Sequence, residues 1–192
     1  MIHLYSGEGR GKTSIAVGTA VRMAGAGGRV IFAQFMKGSE SSEIKVLKSL
    51  PGMELCRVPE EYPFYNQMSK EQIERITKQH NDILTHIMEE VESVRSLEEN
   101  EQDVKEAKGQ MQSDIPRLLV VLDEITYPVS WNLIDKEMVS RLLSNLPESV
   151  ELIMTGRSPS EEMITFSDYW SELSMKRHPY EKGVAAREGV EY

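Results

Sequence analysis

Cysteine is nearly absent: Cys56 alone occurs in the 192 residues, which excludes an intramolecular disulfide and any all-cysteine metal site within one chain. Basic residues are in the minority. The 22 Lys and Arg face 31 Asp and Glu, so the formal charge is −9 and the isoelectric point near 5.1. That balance argues against nucleic acid or an anionic membrane surface as a partner. No stretch approaches the roughly 18 apolar residues of a membrane span. The opening residues Met1 to Tyr5 carry no charged, apolar or Arg/Ser-rich leader pattern. These absences lead us to expect a soluble cytoplasmic protein. With 40% hydrophobic residues, the chain can bury the core of one domain spanning 1–192.

Short apolar runs alternate with segments of helical spacing. The runs are Ile2 to Tyr5, Val30 to Phe35, Met53 to Val58, Leu118 to Asp123 and Val150 to Met154. Strands buried on both faces and joined by helical crossovers give a doubly wound α/β fold, a mostly parallel sheet flanked by helices. Lys12 to Ala24 reads as the first crossover helix, stopped by the turn at Gly25 to Gly28. Ile73, Ile76, Ile83, Leu84, Ile87, Met88, Val91 and Val94 mark one face of a long amphipathic helix. Ser69 to Gln72 resembles a capping box at its start. From Glu89 to Glu106 there are eight acidic residues and two basic ones, read as a helical or mobile acidic insertion around 89–114 with no catalytic role.

The chemistry concentrates after the first strand. Gly7-Glu8-Gly9-Arg10-Gly11-Lys12-Thr13-Ser14 lies between a predicted strand and a predicted helix, the setting that makes a Gly-Lys-Thr motif informative. Glycines let backbone N–H groups converge on phosphate oxygens, the helix N-terminus adds positive potential, and Lys12 contributes a point charge. Thr13 offers its hydroxyl to Mg²⁺. The position five before Gly11 is Ser6 rather than glycine, so the glycine-rich part is shorter than a full Walker A motif. Leu118 to Glu124 is an apolar strand ending in two carboxylates, as in a Walker B segment approaching magnesium from the neighbouring strand. Of Asp123 and Glu124, one is expected on the metal, the other anchoring a water, Thr13 or the loop. Arg157, in Thr155-Gly156-Arg157 after the last predicted strand, is a third candidate for phosphate charge.

Four segments together resemble the P-loop ATP:corrinoid adenosyltransferase family. They are Gly7 to Thr13, Gln34-Phe35-Met36-Lys37-Gly38, Val121-Leu122-Asp123-Glu124-Ile125-Thr126-Tyr127, and Thr155-Gly156-Arg157; the closing Gly183 to Tyr192 also fits that family's C-terminal pattern. The resemblance implies a P-loop NTPase-like (RecA-like) fold. It implies an enzyme that transfers the 5′-deoxyadenosyl group of ATP to the cobalt(I) of cobalamin or cobyrinic acid a,c-diamide, releasing triphosphate.

On that footing Gly7, Glu8, Gly9, Arg10, Gly11, Lys12, Thr13 and Ser14 form the nucleotide cradle, and Thr13, Glu124 and Asp123 the Mg²⁺ side. Lys12, Glu124 and Arg157 are the expected catalytic groups, with Arg10 offsetting Glu8. Tyr62 and Phe64 are the aromatic candidates over the corrinoid, in place of a Phe-x-Trp arrangement. The resemblance further implies a homodimer and a reducing partner such as a flavoprotein. Better-known members carry an arm before the first strand, so the corrinoid pocket is expected to be more open here or covered by another element.

The alternatives are a P-loop ATPase or phosphotransferase acting at the γ-phosphate, and a non-catalytic ATP-binding protein. His3, His80, His86 and His178 have no metal-ligand spacing and are read as structural or exposed. Cys56 reads as a small buried apolar residue rather than a nucleophile, and Trp131 and Trp170 as packing residues.

Overall fold

The computed structural model describes residues 1–38, 41–105 and 118–190, without the side chains of 101–105. Six parallel strands form one sheet: β1 (Ile2–Ser6), β2 (Arg29–Gln34), β3 (Met53–Arg57), β4 (Leu118–Asp123), β5 (Val150–Thr155) and β6 (Tyr169–Glu172). Their order is β3-β2-β4-β5-β1-β6. The helices are α1 (Lys12–Gly25), α2 (Ser42–Leu47), α3 (Lys70–Lys105), α4 (Thr126–Ser130), α5 (Lys136–Ser144) and α6 (Glu161–Phe166).

Strand alternation divides the core in two. Leu118, Val120 and Leu122 of β4 face a layer containing Leu84, Ile87, Val91 and Val94 of α3 and Leu142 of α5. Leu119 and Val121 face the other way, onto Ala16 and Ala20 of α1 and Ile44 and Leu47 of α2. All six β4 residues are buried, which is why that strand reads as an unbroken apolar run.

The start of α3 carries the expected capping box. Ser69 Oγ accepts from Gln72 N–H (3.2 Å), and Gln72 Oε1 accepts from Ser69 N–H (2.9 Å). The apolar stripe of α3 first supports a lobe at Ile73 and Ile76, then the sheet from Ile83 to Val94. The acidic stretch from Glu89 continues this helix as far as Lys105, while 106–114 of the expected insertion lie outside the described residues.

Two expectations change. First, β4 is not adjacent to β1: β5 lies between them, and β1 is paired with β5 and β6. The acidic strand therefore reaches the loop across β5. Second, Trp170 is not a core packing residue. It sits half-exposed on the edge strand β6 and donates Nε1–H to Ser6 Oγ (2.9 Å).

Candidate functional site

Parallel sheets collect ligand-binding loops at the carboxyl ends of their strands. Register here brings four such ends together, with Gln34 opposite Asp123 on β2 and β4 and Tyr5 opposite Thr155 on β1 and β5. The glycine loop follows β1 and opens α1, whose N-cap Gly11 holds φ 113°. Lys12 curls back under the loop, Nζ donating to the carbonyls of Gly7 (2.7 Å) and Gly9 (2.8 Å). Burial, then the nearby Arg157, lowers its pKa, against the opposing pull of Glu124, Glu8 and Asp123.

Two of the glycines have a further reason to be there. The backbone after β6 crosses the loop, and Gly9 N–H donates to Leu173 O (2.6 Å). A Cβ at Gly7 or Gly9 would lie 2.5 or 2.6 Å from that same carbonyl oxygen.

Asp123 is fully buried and its two oxygens are spoken for. Oδ1 accepts from Thr13 Oγ1–H (2.9 Å) and Thr155 Oγ1–H (2.7 Å), and Oδ2 from Gln34 Nε2–H (3.1 Å). Thr155, on the strand between β1 and β4, is the bridge that sequence reasoning missed: its Oγ1 also accepts from Glu124 N–H (2.9 Å). Glu124 takes a left-handed conformation, φ 63°, which turns its side chain away from that of Asp123. Burial first, and then Asp123, raises the Glu124 pKa, opposed by Lys37, Lys12 and Arg157.

A cavity of about 730 Å³ opens over the loop, bounded by Gly9 to Ser14, Lys37, Glu124, Arg157 and, from α2, Ser42 and Glu43. Arg157 pairs with Glu8 across its mouth (2.8 Å). Glu8 is thus balanced by Arg157, whereas Arg10 donates Nη2–H to the carbonyl of Val190. Lys37 and α2 went unassigned in the sequence because neither carries a phosphate motif; their one signal was Lys37 lying within the Gln34 to Gly38 box.

Glu124 also lines a second cavity, of about 560 Å³, walled by Met36, Tyr62, Phe64, Tyr65, Tyr127 and Trp131. Tyr62 and Phe64, the aromatic candidates named from the sequence, thus line a cavity that shares Glu124 with the one over the glycine loop. Tyr62 O–H donates to Gln79 Oε1 (2.9 Å), while Phe64 is 82% exposed. Tyr65 and Trp131 stack at 4.9 Å with planes 8° apart, and Tyr127 lies 5.0 Å from Trp131. Tyr127 and Trp131 share a helical face at i,i+4 spacing, the signal by which this wall could have been found.

His80 lies behind that pocket and holds the backbone of one of its lining residues, Met36. Its buried ring bridges two chain segments, with Nδ1–H donating to Leu133 O (2.9 Å) and Nε2 accepting from Met36 N–H (3.3 Å). Burial lowers its pKa from the ordinary 6.5 to about 4, against the raising effect of the Leu133 bond. The unfolded chain therefore binds a proton that the folded one refuses, so this contribution to stability is full above pH 6.5 and is lost as pH falls towards 4. The loss is on the order of 3 kcal/mol. Urea denaturation at successive pH values should show the stability gap between the native protein and His80→Gln shrinking over that range. Parallel profiles would contradict this role.

Among the described residues no helix is long and apolar enough to cross a membrane. The family described as ATP:corrinoid adenosyltransferase BtuR/CobO/CobP matches residues 1–192. The chain is 28% identical over 192 residues to a corrinoid adenosyltransferase of Escherichia coli, covering 100% of this chain and 85% of that one. It is 27% identical over 192 residues to corrinoid adenosyltransferase CobA of Salmonella typhimurium, with the same coverage. Among solved structures, EssC (ATPases 2 and 3) from Geobacillus thermodenitrificans resembles it with a TM-score of 0.52 at 15% identity, covering 98% of this chain and 34% of that one. That last likeness concerns the fold alone.

Proposed function

The chain belongs to the ATP:corrinoid adenosyltransferase family and transfers the adenosyl group of ATP to a corrinoid; from that premise we propose how its residues divide the work. The loop from Gly7 to Ser14 holds the triphosphate, and the aromatic cavity takes one face of a cobalt(I) corrinoid, cobalamin or cobyrinic acid a,c-diamide. The observation that carries this reading is that the two cavities meet at one side chain, Glu124. A nucleotide with its phosphates on the loop then has its ribose C5′ at the boundary, where the corrinoid cobalt can reach it.

The donor set suits Mg²⁺. Thr13 donates its hydroxyl proton to Asp123, which leaves its lone pairs for a cation, and Glu124 adds a half-buried carboxylate that a nearby cation would keep ionised. When bound, Mg²⁺ neutralises charge on the triphosphate as it departs. Asp123 acts one bond back, orienting Thr13 directly and the Glu124 backbone through Thr155. Lys12 and Arg157 stabilise the leaving phosphates, Arg157 exchanging Glu8 for phosphate oxygen. The fixed residues contribute mainly by positioning C5′ in line with cobalt and by matching charge on the leaving group. The chain works as a cytoplasmic homodimer served by a reducing partner such as a flavoprotein, a reading supported by the family resemblance.

The aromatic cavity provides the test. Trp131→Ala removes one member of the Tyr65 stack, and an aromatic face of that kind contributes about 1.4 kcal/mol to a planar ligand, or roughly tenfold. The expected result is a corrinoid KM raised about tenfold, with Mg-ATP affinity within about twofold of native and Trp131→Phe restoring most of the loss. An unchanged corrinoid KM, or an equal loss in ATP affinity, would contradict the assignment of this cavity.

A further inference from the structure

On the far side of the sheet from β1, the edge strand β3 and helix α3 bring together three metal-ligating groups that take no part in the cavities above. Glu54 and Cys56 are two residues apart on β3 and so project from the same face, towards α3. His86 of α3 meets them there, its Nε2 2.7 Å from Glu54 Oε1. One ligand atom from each of the three lies within 4.8 Å of the others; Cys56 and His86 are half-buried, and the Glu54 side chain is 44% exposed. No other group of three or more such residues in this arrangement occurs among the described residues.

We propose that Glu54, Cys56 and His86 bind a divalent cation of the zinc class, with water as the fourth ligand, tying β3 to α3. The chemistry selects the ion. A sulfur, nitrogen and oxygen set suits Zn²⁺ or Co²⁺, whereas Mg²⁺ and Ca²⁺ take oxygen ligands. Tetrahedral coordination at ordinary zinc bond lengths separates ligand atoms by about 3.3–3.6 Å, so the Glu54 to His86 contact opens from 2.7 Å and the widest separation closes from at most 4.8 Å. Each shift is about an ångström, within the reach of rotamer adjustment on half-exposed side chains.

Glu90, one helical turn beyond His86, faces the same cluster and is held by Arg29 of β2 (2.6 Å). It adds negative potential without needing to leave that partner. The position gives the cation a purpose. β3 runs directly into Val58 and the segment carrying Tyr62, Phe64 and Tyr65, while Ile73 and Ile76 of α3 support that lobe from below. Joining β3 to α3 therefore stiffens the base of the aromatic cavity from outside it.

The test uses the nucleotide-free full chain and Co²⁺ as a spectroscopic probe. Because Cys56 is the sole cysteine, any sulfur-to-cobalt charge-transfer absorption belongs to it. The expected result is such a band saturating at one equivalent, displaced by Zn²⁺, with Zn²⁺ also raising the melting temperature. Cys56→Ser should abolish the band, and His86→Gln should weaken Co²⁺ affinity by roughly 10-fold or more. A native protein that gives no charge-transfer band with Co²⁺, or a His86→Gln variant that binds it as the native chain does, would overturn the proposal.

Discussion

Lys12→Ala is expected to lower adenosyl transfer by about 100- to 1,000-fold, the range for removing one preorganised donor from developing negative charge. The lysine ammonium is held between the Gly7 and Gly9 carbonyls before any phosphate enters. Exchanging those carbonyls for phosphate oxygens takes a short side-chain movement, so the charge is largely preorganised. Alanine keeps the helix start, since it is a good helix former and Gly11 caps α1 through its backbone. Stability should therefore change by no more than about 1 kcal/mol. Single-turnover kinetics beside urea denaturation separates the two effects. A variant that is fully folded and fully active would remove the loop from the reaction.

Asp123→Ala is expected to damage both the fold and the reaction. Thr155 and Gln34 would each lose an acceptor in a place that water does not reach, and Thr13, at the cavity wall, would lose the acceptor that orients its hydroxyl. Leaving buried donors unmet costs about 1–3 kcal/mol apiece, partly relieved where a hydroxyl can turn, so a total of about 2–5 kcal/mol is expected. Activity should also drop by at least about 100-fold, because Thr13 and the Glu124 backbone are both oriented through this carboxylate.

Asp123→Asn discriminates between a lost charge and a lost scaffold. Its carbonyl can still accept from both threonines, and its amide can meet Gln34 Oε1, which has no hydrogen-bond partner among the described residues. That variant should stay within about 1.5 kcal/mol of native stability. Denaturation curves for the pair check the ordering, and equal destabilisation by Asn and Ala would contradict it.

How much of this could be read from the residues depended on whether a feature was local. The strands β2, β4 and β5 were legible because burial on both faces demands continuous apolar runs, and β1 and β3, less buried, because apolar residues recur along them at alternating positions. The glycine loop was legible because strand, glycines, Lys12-Thr13 and helix are contiguous. Strand β6 was not, since Tyr169 to Glu172 is exposed along its whole length and has no apolar signature. Its consequence, the Leu173 backbone lying over Gly7 and Gly9, joins residues more than 160 positions apart.

The division of labour between Asp123 and Glu124 was also out of reach. Adjacent carboxylates look equivalent in a sequence, and only the positive φ of Glu124 and the intervening Thr155 separate the anchoring group from the one facing the cavity. The cluster of Glu54, Cys56 and His86 was hidden for the same reason, because its ligands come from a strand and a helix whose spacing follows no metal motif.

The most direct test of the account mixes the protein with Mg-ATP and a chemically reduced corrinoid without oxygen, follows the corrinoid spectrum, and identifies the phosphate product. The account predicts an adenosylated corrinoid and intact triphosphate in equal amounts. ADP with free phosphate, and a corrinoid spectrum that does not change, would contradict it.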